Sequence, residues 1–257
     1  MSFATLSFTL VFVAISVGLS IWLRLGVQRD VVIAAVRATI QLVIVGYILK
    51  FVFQAHNVLF ILAMIALIVC VATWNARSRA RHISGIGWRI GLSLLVTEVV
   101  TQALLLGLHI IPFQPRYVIS LSGMIVGNAM VASGVLLNRL QGEVANKQSE
   151  IETVLALGGS PRQAIYPHLK QVIRAGLIPT IDSTKTTGLV QLPGTMSGLI
   201  IAGASPVQAV RYQLMILFCI LAGSAIASIL LGFLAYPRLF NHYEQLVYEE
   251  GVQSGRR

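Results

Sequence analysis

Several ionisable and amide side chains stand inside long apolar runs, at spacings that place them on shared faces. Arg37 and Gln41 are four residues apart, as are Glu98 and Gln102, so each pair lies on one face of a helix. Asn128 interrupts a third run. Asp182, Lys185 and Gln191 fall in the stretch IPTIDSTKTTGLVQLPGTMSGLIIAGA, from Ile178 to Ala204. A charge at bilayer depth costs roughly 2.5–3.5 kcal/mol on insertion scales, so such groups face a protein interior or a water-filled path. Two kinds of chemistry fit. In one, the groups tie helices together: Arg37 to Glu98 or Asp182, and Lys185 to Asp182. In the other, some of them line a translocation path and touch cargo. Asp182, taken to sit near the cytoplasmic end of its span, is the one most simply explained by water.

These groups need long apolar elements to hold them. The chain has 257 residues, of which 56% are hydrophobic and only 11% charged. A soluble domain carries about 25% charged residues. With a mean hydropathy of +0.81 the class is an integral membrane protein. The apolar runs have helix length rather than barrel-strand length. The fold class is therefore all-α, a single polytopic domain over residues 1–257. Seven spans are expected: Phe3 to Leu23, Val31 to Phe53, Val58 to Trp74, Ile90 to Ile111, Tyr117 to Leu137, Ile178 to Ala204 and Gln213 to Tyr236.

Charge orients them. The net charge is +10, yet the basic residues cluster at span ends, where membrane orientation explains them and nucleic-acid binding does not. All of the nineteen except Arg37, Lys50, Arg116, Lys185 and Arg211 fall on one side. That side is then cytoplasmic, with the N-terminus outside and the C-terminus inside a cell inner (plasma) membrane. No basic residue precedes Arg24, so the first run reads as a retained span and not a signal peptide. Cys70 and Cys219 each lie in an apolar run without a CxxC partner, against a disulfide or zinc role.

Small residues and proline mark where spans pack or break. Gly123 with Gly127, and Gly194 with Gly198, are both GxxxG, a spacing that permits close helix packing within the subunit or across a dimer. Pro193 removes a backbone donor inside an apolar run and predicts a kink or break. Broken spans are common at transport sites, where freed carbonyls bind ions. Met124, Met130 and Met196 could supply sulfur to a soft metal but read first as packing. His56, His82, His109, His168 and His242 are scattered, so spacing supports no tight metal chelate.

The polar segment between the fifth and sixth spans, residues 139–175, reads as two short helices with a sharp bend. Glu150 and Glu152 open the first, with Ile151, Val154, Leu155 and Leu157 apolar. Gly158 and Gly159 stop it. Ser160 is an N-cap and Pro161 occupies the first position of the next helix. On physical grounds the pair either lies flat on lipid headgroups or buries its apolar face against a partner. No GxxxxGK[ST] is present, so the chain has no phosphate-cradling loop of its own.

Glu152 and Gly158 reproduce the spacing of the cytoplasmic loop of ABC-transporter permeases, with Thr153 and Val154 in place of the usual small pair. The wider likeness rests on VRATIQLVIVGYIL from Val36, MIVGNAM from Met124, LALGGSPRQA from Leu155 and the long stretch from Ile178. On these the chain resembles the FetB-type permeases, described as iron exporters and related to the membrane subunit of a plant aluminium-tolerance transporter. The resemblance implies a permease subunit, not an enzyme, that exports iron. It implies coupling through Glu152, Leu155, Leu157, Gly158, Gly159, Ser160 and Pro161 to a separate ATP-binding subunit. It also implies a second copy as the other membrane half. ATP-Mg would then bind the partner and no cofactor would bind this chain. An organic cargo such as a nucleotide sugar, or a scaffold that moves no solute, stands beside that reading.

Overall fold

The computed structural model describes residues 8–55, 57–79, 83 and 85–247. The start of the expected first span, His56, Arg81, His82, Arg256 and Arg257 lie outside them. Among the described residues all elements are helical: α1 (Leu10–Trp22), α2 (Gln28–Ala55), α3 (Val58–Arg77), α4 (Ile86–Gly107), α5 (Pro115–Asn146), α6 (Gln148–Ala156), α7 (Pro161–Thr186), α8 (Gly194–Ile201) and α9 (Pro206–Ala235), followed by a 3-10 turn at Tyr236–Leu239. The all-α, polytopic expectation holds. Five of these helices, α2, α3, α4, α5 and α9, are long and apolar enough to cross a membrane, and α1 is a shorter apolar helix.

The chain divides into two compact units. In the first, residues 1–57, α1 and α2 pack against each other, and Arg37 and Gln41 are exposed on α2 within that unit. In the second, from Val58 onward, α5 is the central post: α3, α4, α6, α7 and α9 all pack on it. Leu94, Val126, Leu136, Leu140, Ala227 and Leu231 are among its fully buried apolar residues. The exterior is apolar as well, with Trp74, Leu104 and Phe218 exposed. The interior holds Ser93, Thr97, Glu98, Gln102, Ser122, Ser133 and Ser228, all buried. Apolar outside with polar groups gathered inside is the arrangement a lipid solvent selects, because buried polar groups need protein partners there.

Two expectations are overturned by α7. The stretch from Ile178 to Ala204 is not one span. Its first nine residues are the end of α7, its last ones include the short α8, and the chain between them forms a tight turn closed by Gly188 N–H donating to Gln191 C=O at 2.9 Å. Gly188 has φ +90°, a conformation that only glycine adopts without strain, and this is where the helix is broken. Pro193 instead caps the start of α8. The second helix of the pair expected between residues 139 and 175 is likewise not short. It is α7 itself, 26 residues with Pro167 and Pro179 inside it. Asp182 therefore lies at the far end of α7, about 30 Å from Pro161 at 1.5 Å per residue, and not beside the bend.

Within the single chain the GxxxG glycines make no close approach: a Cβ at Gly123, Gly127, Gly194 or Gly198 would meet nothing within 4 Å, which leaves the packing across a dimer as the form of that expectation still open. The close approaches are elsewhere. At Gly176 a Cβ would stand 3.2 Å from Ala132 O and 3.2 Å from Leu136 Cβ, so α7 crosses α5 there with room for hydrogen only.

Candidate functional site

The bend between α6 and α7 forms as its residues require. Leu157 is the C-cap of α6; Gly158 N–H donates to Leu155 C=O and Gly159 N–H to Val154 C=O, both at 2.9 Å. That pair of bonds is a Schellman closure, and Gly158 supplies its left-handed residue at φ +86°. Ser160 and Gln163 then form a reciprocal capping box, with Pro161 in the first turn of α7. Ile151 is fully buried and Leu155 packs on the core, whereas Leu157 is 83% exposed at the tip. Glu152 is exposed and accepts from Gln148 Nε2 at 2.9 Å.

Behind the bend lies a cluster that spacing alone did not reveal. His168, buried in α7, has Nδ1 3.3 Å from Glu143 Oε1 on α5 and Nε2 3.8 Å from Glu150 Oε1 on α6. Lys147 Nζ pairs with Glu150 at 3.1 Å. Its hydrogen bond, then its charge, hold the exposed Glu150 carboxyl below the usual range, against a small opposing effect of burial. The capping residues at Ser160 and Pro161 place His168 in the helix that follows, but a lone histidine in the sequence carries no partner until α5 and α6 meet α7.

Apart from Arg37 and Gln41 on α2 of the first unit, the candidate path residues of the second unit fall into three places. Glu98 and Gln102 meet Ser122 across the α4–α5 contact: Gln102 Nε2 donates to Ser122 Oγ at 3.0 Å, and Ser122 bonds Glu98 Oε1. Glu98 and Gln102 are both buried. Asp182 and Lys185 form a loose pair at 3.7 Å, both well exposed. So the anticipated Lys185–Asp182 tie is present, and within their unit the polar partners of Glu98 are Ser122 and Gln102. Gln191 is exposed in the turn after α7.

Asn128 belongs to the third place, a cavity of about 130 Å³ among α5, α7 and α9. Thr180, Ser183 and Thr184 bring hydroxyls to it from α7, and Pro179 lines it too. Asn128 Nδ2 donates to Met124 C=O at 2.8 Å, and Thr184 Oγ1 to Thr180 C=O at 2.8 Å, which leaves the amide oxygen of Asn128 and the hydroxyl lone pairs as acceptors. Proline at 179 has no N–H to offer the carbonyl of Ala175 one turn back. The lining holds no carboxylate, imidazole or thiol. Among the described residues no three His, Cys, Asp or Glu side chains are grouped to hold a metal. The cavity thus presents neutral oxygen from α5 and α7 in a wall that is otherwise apolar, with Val131, Leu217 and Ile220.

The pattern of uncharacterised protein family UPF0014 matches residues 3–240. The chain belongs to this family. It is 46% identical over 250 residues to UPF0014 membrane protein YjkA of Bacillus subtilis, covering 97% of this chain and 100% of that one. It is 40% identical over 243 residues to a protein of Escherichia coli named "Probable iron export permease protein FetB", covering 95% and 94%. With UPF0014 membrane protein STAR2 of rice it shares 39% identity over 234 residues, covering 91% and 82%. No solved structure matches. The resemblance noted in the sequence is therefore correct, and this UPF0014 protein is a polytopic membrane protein with a relative named as a permease.

Proposed function

We propose that this chain is the membrane-spanning permease subunit of an ABC-type transporter, paired with a second copy and driven by a separate ATP-binding subunit that holds ATP-Mg. One observation carries the reading. A single uninterrupted helix, α7, runs from the capped bend at Ser160 to the hydroxyls at Thr180, Ser183 and Thr184. At 1.5 Å per residue it is about 39 Å long, long enough to pass a displacement at the bend to the cavity as one rigid element. The apolar Leu157 at the tip of the bend is the group a partner's groove would cover. In this reading the bend faces the cytoplasm of an inner (plasma) membrane, with the N-terminus outside.

Iron moved outward is the cargo supported by the name of the Escherichia coli relative. The neutral lining of the cavity favours a second cargo class, a small hydroxyl-rich organic solute. At about 130 Å³ the cavity has the liquid volume of roughly four waters. A nucleotide sugar would need it to widen substantially.

Gly158→Leu in the co-purified complex, reconstituted in vesicles, tests the coupling. A side chain at φ +86° is strained by about 1–2 kcal/mol and shifts the bend. ATP hydrolysis should continue while cargo-stimulated hydrolysis and transport fall together. Full transport in that variant, or failure of the chain to purify with any ATPase, would remove the ABC reading. Vesicles offered iron and a nucleotide sugar in parallel separate the two cargo classes.

A further inference from the structure

Within the second unit the α3–α4 contact opens into a groove of about 480 Å³. The volume is in the range of small-ligand clefts, roughly 300–1,000 Å³. Ala66, Cys70 and Leu95 make an apolar floor, and two large exposed rings, Trp74 and Trp88, stand at its mouth. Gly87 and Gly91, four apart on α4, let side chains of α3 lie close on its backbone. A Cβ at Gly87 would stand 3.0 Å from Arg77 Cδ, and one at Gly91 3.4 Å from Thr73 Oγ1. Arg77 therefore lies across bare helix backbone at one end of the groove.

That end is strongly positive. Arg89 stacks 5.9 Å over the Trp88 ring and donates to Gly85 C=O at 2.8 Å. Among the described residues of this unit, neither Arg77 nor Arg89 forms an ion pair with a carboxylate. An apolar trough with two indole rings and uncompensated guanidiniums at one end matches an amphiphile with an anionic head.

We propose that the α3–α4 groove is a binding site for an anionic phospholipid. Its phosphate sits on Arg77, and one acyl chain lies over Cys70 and Leu95 between the two tryptophans. The site rests only on the chain being a membrane protein and not on its cargo or its ATPase.

The test uses the full chain with Trp22→Phe, so that emission comes from Trp74 and Trp88 alone. Vesicles of phosphatidylcholine receive equal low mole fractions of brominated phosphatidylglycerol or brominated phosphatidylcholine. The anionic lipid should quench at about five-fold lower mole fraction, the effect of one basic residue at an anionic surface. Arg77→Gln should erase the preference and Arg77→Lys keep part of it. High salt should weaken it in the unmutated groove, which reads the charge term without any change at Arg77. Equal quenching by the two lipids overturns the proposal, as does a preference that survives both Arg77→Gln and salt. Absence of quenching by either also overturns it, because the groove is then filled by protein, from another helix of this chain or from a second copy.

Discussion

Two polar clusters hold this molecule, and they are built on opposite terms. Around Glu98, neutral partners on α4 and α5 are sealed from solvent, and Glu98 Oε2 and Gln102 Oε1 find no hydrogen-bond partner among the described residues. Around His168, charged side chains from α5, α6 and α7 converge with graded exposure, from 6% at His168 to 57% at Glu150. The first cluster fixes where two helices meet, since any slip strands groups that no water can satisfy. The second can be loosened by a proton or by hydration of its outer members. Rigidity is thus placed in the membrane interior, and adjustability at the bend that α7 connects to the cavity.

If that contrast is right, the largest effect comes from the sealed cluster. Glu98→Ala removes the partner of Ser122 and leaves a hole between α4 and α5. Each stranded buried group costs about 1–3 kcal/mol, so thermal unfolding in detergent should shift down by several degrees. Glu98→Gln preserves shape and hydrogen-bonding capacity. Intramembrane hydrogen bonds average about 0.6 kcal/mol, so its unfolding should move little. Transport in the Gln variant then decides the role. Near-normal transport leaves Glu98 as a tie, whereas a strong loss with intact stability returns it to the path. Equal destabilisation by Ala and Gln would break the contrast.

Next comes the bend. A Cβ at Gly159 would be 2.6 Å from Val154 Cγ1 and 2.8 Å from Val154 O, and the second is backbone that cannot step aside. Gly159→Ala should cost about 1–3 kcal/mol, the usual range for overpacking. The loss should appear as faster amide exchange in α6 and the first turn of α7, with α4 and α5 unchanged. Exchange that rises throughout the second unit would mean that the bend and the interior are one cooperative body. His168→Phe keeps the bulk in α7 but removes both carboxylate contacts. It should raise exchange in α6 by a smaller amount than Gly159→Ala and leave the Glu98 cluster untouched.

How far these features were legible depends on whether local chemistry decides them. The cap at Ser160, the stop at Gly158 and Gly159, and the pairing of Lys185 with Asp182 follow from neighbours within a few residues, and the structure has them where the sequence puts them. The break after Thr186 was assigned to Pro193 because proline is the stronger punctuation. Yet proline suits a helix start, and it was Gly188, with its positive φ, that turned the chain. The length of α7 was missed because Pro167 and Pro179 argue against a continuous helix. Packing on α5 and α9 holds them in one. Ser122 was invisible as a site residue, since a hydroxyl in an apolar run carries no signal until another helix meets it.

The finest test of the adjustable cluster is its acid edge. Glu150 is held below its ordinary carboxylate value chiefly by the hydrogen bond from Lys147, then by that lysine's charge, with His168 adding a little. A carboxyl with a lowered folded value stabilises the fold fully above its unfolded value, about 4.3 for Glu, and loses that contribution as pH falls through the folded value. Exchange in α6 should therefore owe no change to Glu150 between about pH 5 and 8, and should rise only in stronger acid. The effect is small because the pair is exposed and screened by solvent. Glu150→Gln should remove the acid rise, and Lys147→Met should remove most of it, because without the lysine the folded carboxyl returns toward its ordinary value and little difference from the unfolded chain remains. An unaltered acid rise in Glu150→Gln would show that the adjustable contact is not the Lys147–Glu150 pair.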